Sequence, residues 1–198
     1  MMTPIEQPNF DEAKIVKFHN LKPEALKAIL NHLVFYYNDN LEAYILLENS
    51  KPQLTKVIGQ GIIFNFYIIE RMITSLGINT HTDIEPDIKN LRDCIAHFDE
   101  RIKLYYNSDK EVQEESLSIP NISRNKDGGI SVIGVNISGA NLTINSDTGA
   151  STIKSPFGCV NNILIGLDRK GRTIKVPIDS RLFTSYKNLV DSIISKYI

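Results

Sequence analysis

The chain has 198 residues, is 42% hydrophobic and 23% charged, and carries a formal net charge of −1. That length suits one domain, or one domain with a sizeable insertion, and the composition can bury a core. The near-neutral total excludes a uniformly basic nucleic-acid coat. Two well-separated cysteines, Cys94 and Cys159, exclude a disulfide scaffold and offer no C-x-x-C pair for zinc or redox work.

Charge is uneven along the chain. Residues 1–120 carry 12 Lys/Arg against 18 Asp/Glu, a balance of −6; residues 121–198 carry 10 against 5, a balance of +5. The opening "MMTPIEQPNFDEAK" lacks the basic-then-apolar order of a signal peptide. The most apolar run, "VIGQGIIFNFYII" (57–69), is shorter than the roughly 20 residues a bilayer span needs. These features lead us to expect a soluble, cytoplasmic protein with no membrane partner.

The first predicted helix starts at "KPEALKAILNHLVFYYNDN", with Pro23 in the first turn, where its missing N–H costs nothing. It continues through "LEAYILLE" after a break at Asn38–Asn40. A second predicted helix starts near Ser50–Pro52 and runs to Leu76, where Gly77 ends it. Its middle is apolar on nearly every face, as in the central helix of a bundle. A third follows "THTD", has Pro86 near its start and reaches about Tyr106.

Near residue 110 the texture changes. The stretch "GGISVIGVNISGANLTINSDTGASTIKSP" is rich in Gly, Ser, Thr, Asn and β-branched residues, and "NILIGLDRKGRTIKVPI" (162–178) has the pattern of a hairpin turning at "DRKG". The end returns to helical spacing through Leu182, Tyr186, Leu189, Ile193 and Tyr197, with Asp179 or Ser180 as N-cap. The predicted class is α+β: a helical bundle over 1–110, a β-rich segment over 111–178 with strands between about 128 and 177, and a closing helix over 179–198 that packs back on the bundle.

The chemistry-bearing stretch is "NLRDCIAHFDERI" (90–102). On a helix at roughly 100° per residue, Ile88, Leu91, Ile95, Phe98, Ile102 and Tyr105 form one stripe, facing the core. Arg92, Asp93, Ala96, His97 and Glu100 fall on the face away from it. By spacing alone the plainer reading is a solvated charged face, since Asp93–His97 and His97–Arg101 are i,i+4 neighbours.

"RDCIAH" resembles the R-x4–6-H signature of the HEPN superfamily, in which a polar residue follows the arginine; here it is Asp93. The wider "LRDCIAHFDERI" is similar to a bacterial HEPN-like group in which an H-F-D-E-R run follows the motif. The resemblance is carried by residues 88–103, extends to the helices of 23–106 and 179–197, and does not account for 110–160. It implies an all-α bundle around the motif helix and metal-independent RNA cleavage. The 2′-OH of RNA would be the nucleophile. His97 would take its proton or protonate the leaving oxygen, a role histidines fill because they titrate near neutrality, at about 6.5. Arg92 would hold the non-bridging phosphate oxygens, and Asp93 would orient the imidazole. It also implies a homodimer, because one chain offers one motif and two motifs line a shared cleft. A toxin or phage-defence role, with an antitoxin or another protein partner, follows from the same resemblance.

Arg101 and, at the hairpin tip, Arg169, Lys170 and Arg172 are weaker RNA-binding candidates, against the default of a solvated turn. His19, His32 and His81 share no ligand spacing, so no metal and no cofactor are expected. Glu70–Arg71 reads as a structural ion pair within reach of the motif helix, and "FNFY" (64–67) reads as core. Two rivals to the nuclease remain open: a HEPN-like module that binds RNA, a nucleotide or a protein without cleaving, and an interaction protein working through its β segment.

Overall fold

A computed structural model of the chain describes residues 2–11, 14, 21–50, 52–78, 87–107 and 162–198, together with short strands between 115 and 160. Among the described residues four helices precede the strands: α1 (Pro23–Asn49), α2 (Pro52–Ser75), α3 (Asp87–Ala96) and α4 (Phe98–Asn107). Nine described strands follow: β1 (Glu115–Ser116), β2 (Ile122–Arg124), β3 (Ile130–Val132), β4 (Ile137–Ser138), β5 (Asn141–Ile144), β6 (Ser151–Lys154), β7 (Phe157–Val160), β8 (Ile163–Leu167) and β9 (Thr173–Pro177). A last helix, α5 (Ser180–Ile194), closes the chain. The class is α+β, and the first strands lie earlier than the sequence pattern predicts.

Helix α1 is unbroken at Asn38–Asn40, contrary to expectation. Asn38 makes two 2.9 Å bonds with the backbone of Ile5, Asp39 accepts from Asn65 at 2.6 Å, and buried Asn40 donates to the Ile62 carbonyl at 3.1 Å. Asn and Asp disfavour helix interiors when their side chains compete for the local backbone. Here those side chains bond elsewhere in the fold, so the competition is absent. Helix α2 ends as its sequence indicates: Gly77 takes φ +72°, a conformation that costs glycine nothing, and its N–H bonds to the Thr74 carbonyl.

The largest sheet is antiparallel, in the order β4-β7-β8-β9, and two smaller sheets have the orders β1-β6-β5 and β2-β3. The predicted hairpin of 162–178 is β8–β9, with Leu167 opposite Thr173. Helices α2 and α3 press close against β8 because two glycines stand at the contacts. A Cβ on Gly59 would meet Leu164 at 2.9 Å; one on Gly166 would meet Leu91 at 2.7 Å and the Cys94 sulfur at 3.0 Å.

Helix α5 opens on Asp179, whose carboxylate accepts from the N–H groups of Arg181 and Leu182. Burial raises the Asp179 carboxyl, but those bonds and the Arg181 charge outweigh it and leave it below the usual aspartate range. The helix buries Leu182, Phe183, Tyr186, Val190, Ile193 and Ile194. Phe183 sits among Tyr44, Phe66 and Tyr37, with ring centroids 4.9, 5.1 and 6.5 Å away. Phe66 and Tyr186 stack at 3.8 Å. This aromatic cluster ties the end of the chain to α1 and α2.

Candidate functional site

The helix predicted to run through 88–105 is interrupted at His97, which joins α3 to α4. The His97 N–H still bonds to the Asp93 carbonyl, and the Arg101 N–H to the His97 carbonyl. The interruption shifts the buried side. Ile88, Leu91 and Cys94 are fully buried, Ile95 and Phe98 are half-buried against the core, and Arg101 is only 3% exposed. The side chains of residues 102 and 105, also assigned to the core stripe, lie outside the described residues.

The burial of Arg101 corrects its assignment as an RNA contact. Its side chain is buried, its Nε has no hydrogen-bond partner among the described residues, and its charge acts on the buried Cys94 thiol. Lys56 also acts on that thiol, and its ammonium lies 5.4 and 5.1 Å from the ring centroids of Phe98 and Phe157. Burial nevertheless dominates and pushes the Cys94 thiol up, so it is a poor nucleophile.

Arg92, Asp93 and His97 remain toward the outside. The Arg92 guanidinium lies over the Tyr67 ring at 4.3 Å and bonds to Asp93 Oδ1 at 2.7 Å. The Arg92 and Asp93 side chains are 29% and 13% exposed. The second Asp93 oxygen faces Arg169 of the hairpin tip at 3.7 Å. The described partners of the Asp93 carboxylate are thus two arginines, whereas the resemblance implied the imidazole. His97, one turn further on and 48% exposed, faces Glu100 at 3.8 Å. Arg92 is therefore a pre-oriented cation over an aromatic ring, and His97 an accessible imidazole five residues further along the same helical segment.

The hairpin tip is held by Asp168. Its Oδ1 accepts from the N–H groups of Lys170 and Arg172, at 2.7 and 2.9 Å, and its Oδ2 accepts from Arg172 Nε at 2.6 Å. Gly171 completes the turn at φ +77°. Lys170 and Arg172 are exposed, so both stay on the surface as expected, with Arg172 committed to Asp168. Burial pushes the Asp168 carboxyl up, but the bonds from Arg172 and Lys170 outweigh it and hold it below the usual aspartate range. A depressed folded-state pKa gives stability that is present above the unfolded range and lost as pH falls through the folded value. Asp168→Ala should therefore cost about 1–3 kcal/mol at neutral pH. In acid the difference from wild type should shrink, as read by urea denaturation at the two pH values.

Sequence reasoning missed Tyr67, Cys94 and Asp168 as parts of this region. Tyr67 sits in a run that reads as core, and only Asp168, at the head of "DRKG", carried a local turn signal. Glu70 does not join the motif helix in the described contacts; it accepts from the Tyr186 hydroxyl of α5 at 2.5 Å, and burial raises its carboxyl. Arg71 is exposed.

His32 bonds to the Ala28 carbonyl at 2.7 Å, and His19 and His81 lie outside the described residues. Among the described residues no cluster of ligand-type side chains could hold a metal, and no helix is long and apolar enough to cross a membrane. A separate cleft of about 700 Å³ is lined by Met2, Tyr37, Tyr44, Glu48, Thr184 and Lys187 among others, and by none of the motif residues. Burial and then the Asp191 charge push Tyr37 up to about 12, and burial and then Glu48 push Tyr44 up to about 12, so both phenols stay protonated. No family model, curated protein or solved structure was found to match this chain.

Proposed function

We propose that the chain is a HEPN-type, metal-independent endoribonuclease that works as a homodimer. The observation that carries this reading is the placement of Arg92, over the Tyr67 ring and bonded to Asp93, five residues before the accessible ring of His97 on the same helical segment. Both side chains are presented to the outside by one interrupted helix, packed on α2 as the motif helix of a bundle would be. RNA supplies the 2′-OH that attacks the adjacent phosphorus. His97 takes that proton or gives one to the leaving 5′-oxygen. Arg92 meets the charge that builds on the non-bridging oxygens, which its planar fork suits better than an ammonium. One chain supplies one such pair, so a second copy completes the cleft, and exposed Ala96 between the two side chains lets it come close. A toxin or phage-defence effector, restrained by a protein partner, is the setting such an activity fits.

A second reading, a module that binds RNA without cutting it, is favoured by one observation: the described partners of Asp93 are Arg92 and Arg169, leaving His97 with Glu100. The test that separates the two is incubation of the purified protein with single-stranded RNA and with DNA of the same sequence, in EDTA. The nuclease reading expects cut RNA and intact DNA. Intact RNA, or cutting that EDTA stops, contradicts it.

A further inference from the structure

We infer that Arg169, on the tip of the β8–β9 hairpin, is a second phosphate-holding arginine of this same site, and that Asp93 is the positioning residue between it and Arg92. The inference rests on the reading of the site as one that takes an RNA backbone; it adds a strand tip that the R-x4–6-H pattern does not include.

The geometry begins two residues before Arg169. The Leu167 N–H donates to the Cys94 sulfur at 3.3 Å, so the end of β8 is fastened to the residue beside Asp93. Gly166 allows this approach, since any side chain there would strike Leu91 and Cys94. From that anchor the chain enters a turn held by the three bonds to the Asp168 carboxylate, which leaves little freedom in where Arg169 starts. The result is one carboxylate with an arginine on each oxygen: Arg92 at 2.7 Å and Arg169 at 3.7 Å.

The two arginines are held differently. Arg92 is partly buried on Tyr67 and keeps its place. Arg169 is 77% exposed and touches Asp93 at one nitrogen, a surface contact worth little on its own. A phosphodiester that displaces this contact gains a charge-assisted bond at small cost. The hairpin tip adds Arg169, Lys170 and Arg172 to the Arg92 side of the site, with Arg172 committed to Asp168, so with Asp93, Asp168 and Glu100 counted, four cations face three carboxylates and the balance of these groups is +1. The chemistry recognised is that of consecutive phosphates on a single strand: Arg92 takes one and Arg169 a neighbour.

The experiment measures binding of a short oligouridylate by fluorescence anisotropy over a salt series, with His97→Ala present throughout so that the strand survives. Each phosphate contact on single-stranded RNA contributes about 0.7 to the slope of log K against log salt. Arg169→Ala should lower the slope by about that amount, and Arg169→Lys should restore it, because the contact is one of charge. Asp93→Asn should change affinity by different factors with and without Arg169, as coupled neighbours do. An unchanged slope in Arg169→Ala overturns the inference, even where the His97-intact protein cuts RNA and the nuclease reading stands. Additive effects of Asp93 and Arg169 overturn the role given to Asp93. A lowered slope in Arg169→Ala supports the inference even where the His97-intact protein leaves RNA uncut and the nuclease reading fails.

Discussion

His97→Ala should lower RNA cleavage by about 10²–10⁴-fold, the usual cost of losing a general acid or base. Stability should stay within about 0.5 kcal/mol of wild type, as for surface substitutions away from packed features. The side chain is half exposed, its described partner is an exposed glutamate, and alanine is the better helix former at this interrupted position. Arg92→Lys is the companion variant. It keeps the charge but loses the planar fork and the guanidinium contact with the Tyr67 ring, so cleavage should also fall in large part. Initial rates on a fluorescent single-stranded RNA, with urea denaturation of the same preparations, read both effects. Undiminished cutting by His97→Ala would mean that "RDCIAH" is a charged helix face and no more.

Phe183→Ala should cost about 3–5 kcal/mol of folding stability, in the range found for large aromatic deletions in packed interiors. The ring is fully buried where α5 meets α1 and α2, within ring-contact distance of Tyr44, Phe66 and Tyr37. Its loss leaves a void that three rigid rings close poorly. The expected result is a large fall in the urea midpoint at neutral pH. A loss below about 1 kcal/mol would mean that α5 is not an integral part of the core.

The sequence was most legible where local chemistry decides the outcome. Pro23 starts α1, Gly77 ends α2, "DRKG" turns the hairpin and Asp179 caps α5, each through a bond or backbone angle that its own neighbours define. It was least legible where distant segments decide. The Asn38–Asn40 stretch looked like a break, and bonds to Ile5, Ile62 and Asn65 keep it helical. Phe183 was absent from the predicted face of α5, because a helix that beds into a groove between two others buries a wider arc than a simple stripe. No proline or glycine marks the interruption at His97, and nothing local turns Arg101 inward or puts Cys94 in the place expected for Ile95. The place of Cys94 goes with the β8 strand lying against α3. The same contact brings Arg169 to Asp93, a neighbour that no spacing within 90–102 could disclose. From about residue 128 texture indicated strands without their order, and it did not indicate β1 and β2 before that point.

The chemical nature of the 3′ end left on cut RNA tests the ribonuclease reading most directly. When the neighbouring 2′-OH is the nucleophile and no metal is needed, the 5′ fragment carries a 2′,3′-cyclic phosphate. Wild-type protein, incubated with a defined single-stranded RNA in EDTA and analysed by mass spectrometry, should yield that cyclic end, and His97→Ala should not. A free 3′-hydroxyl end, or RNA that stays whole in EDTA with the wild-type protein, would contradict the assignment of Arg92 and His97 to phosphodiester cleavage.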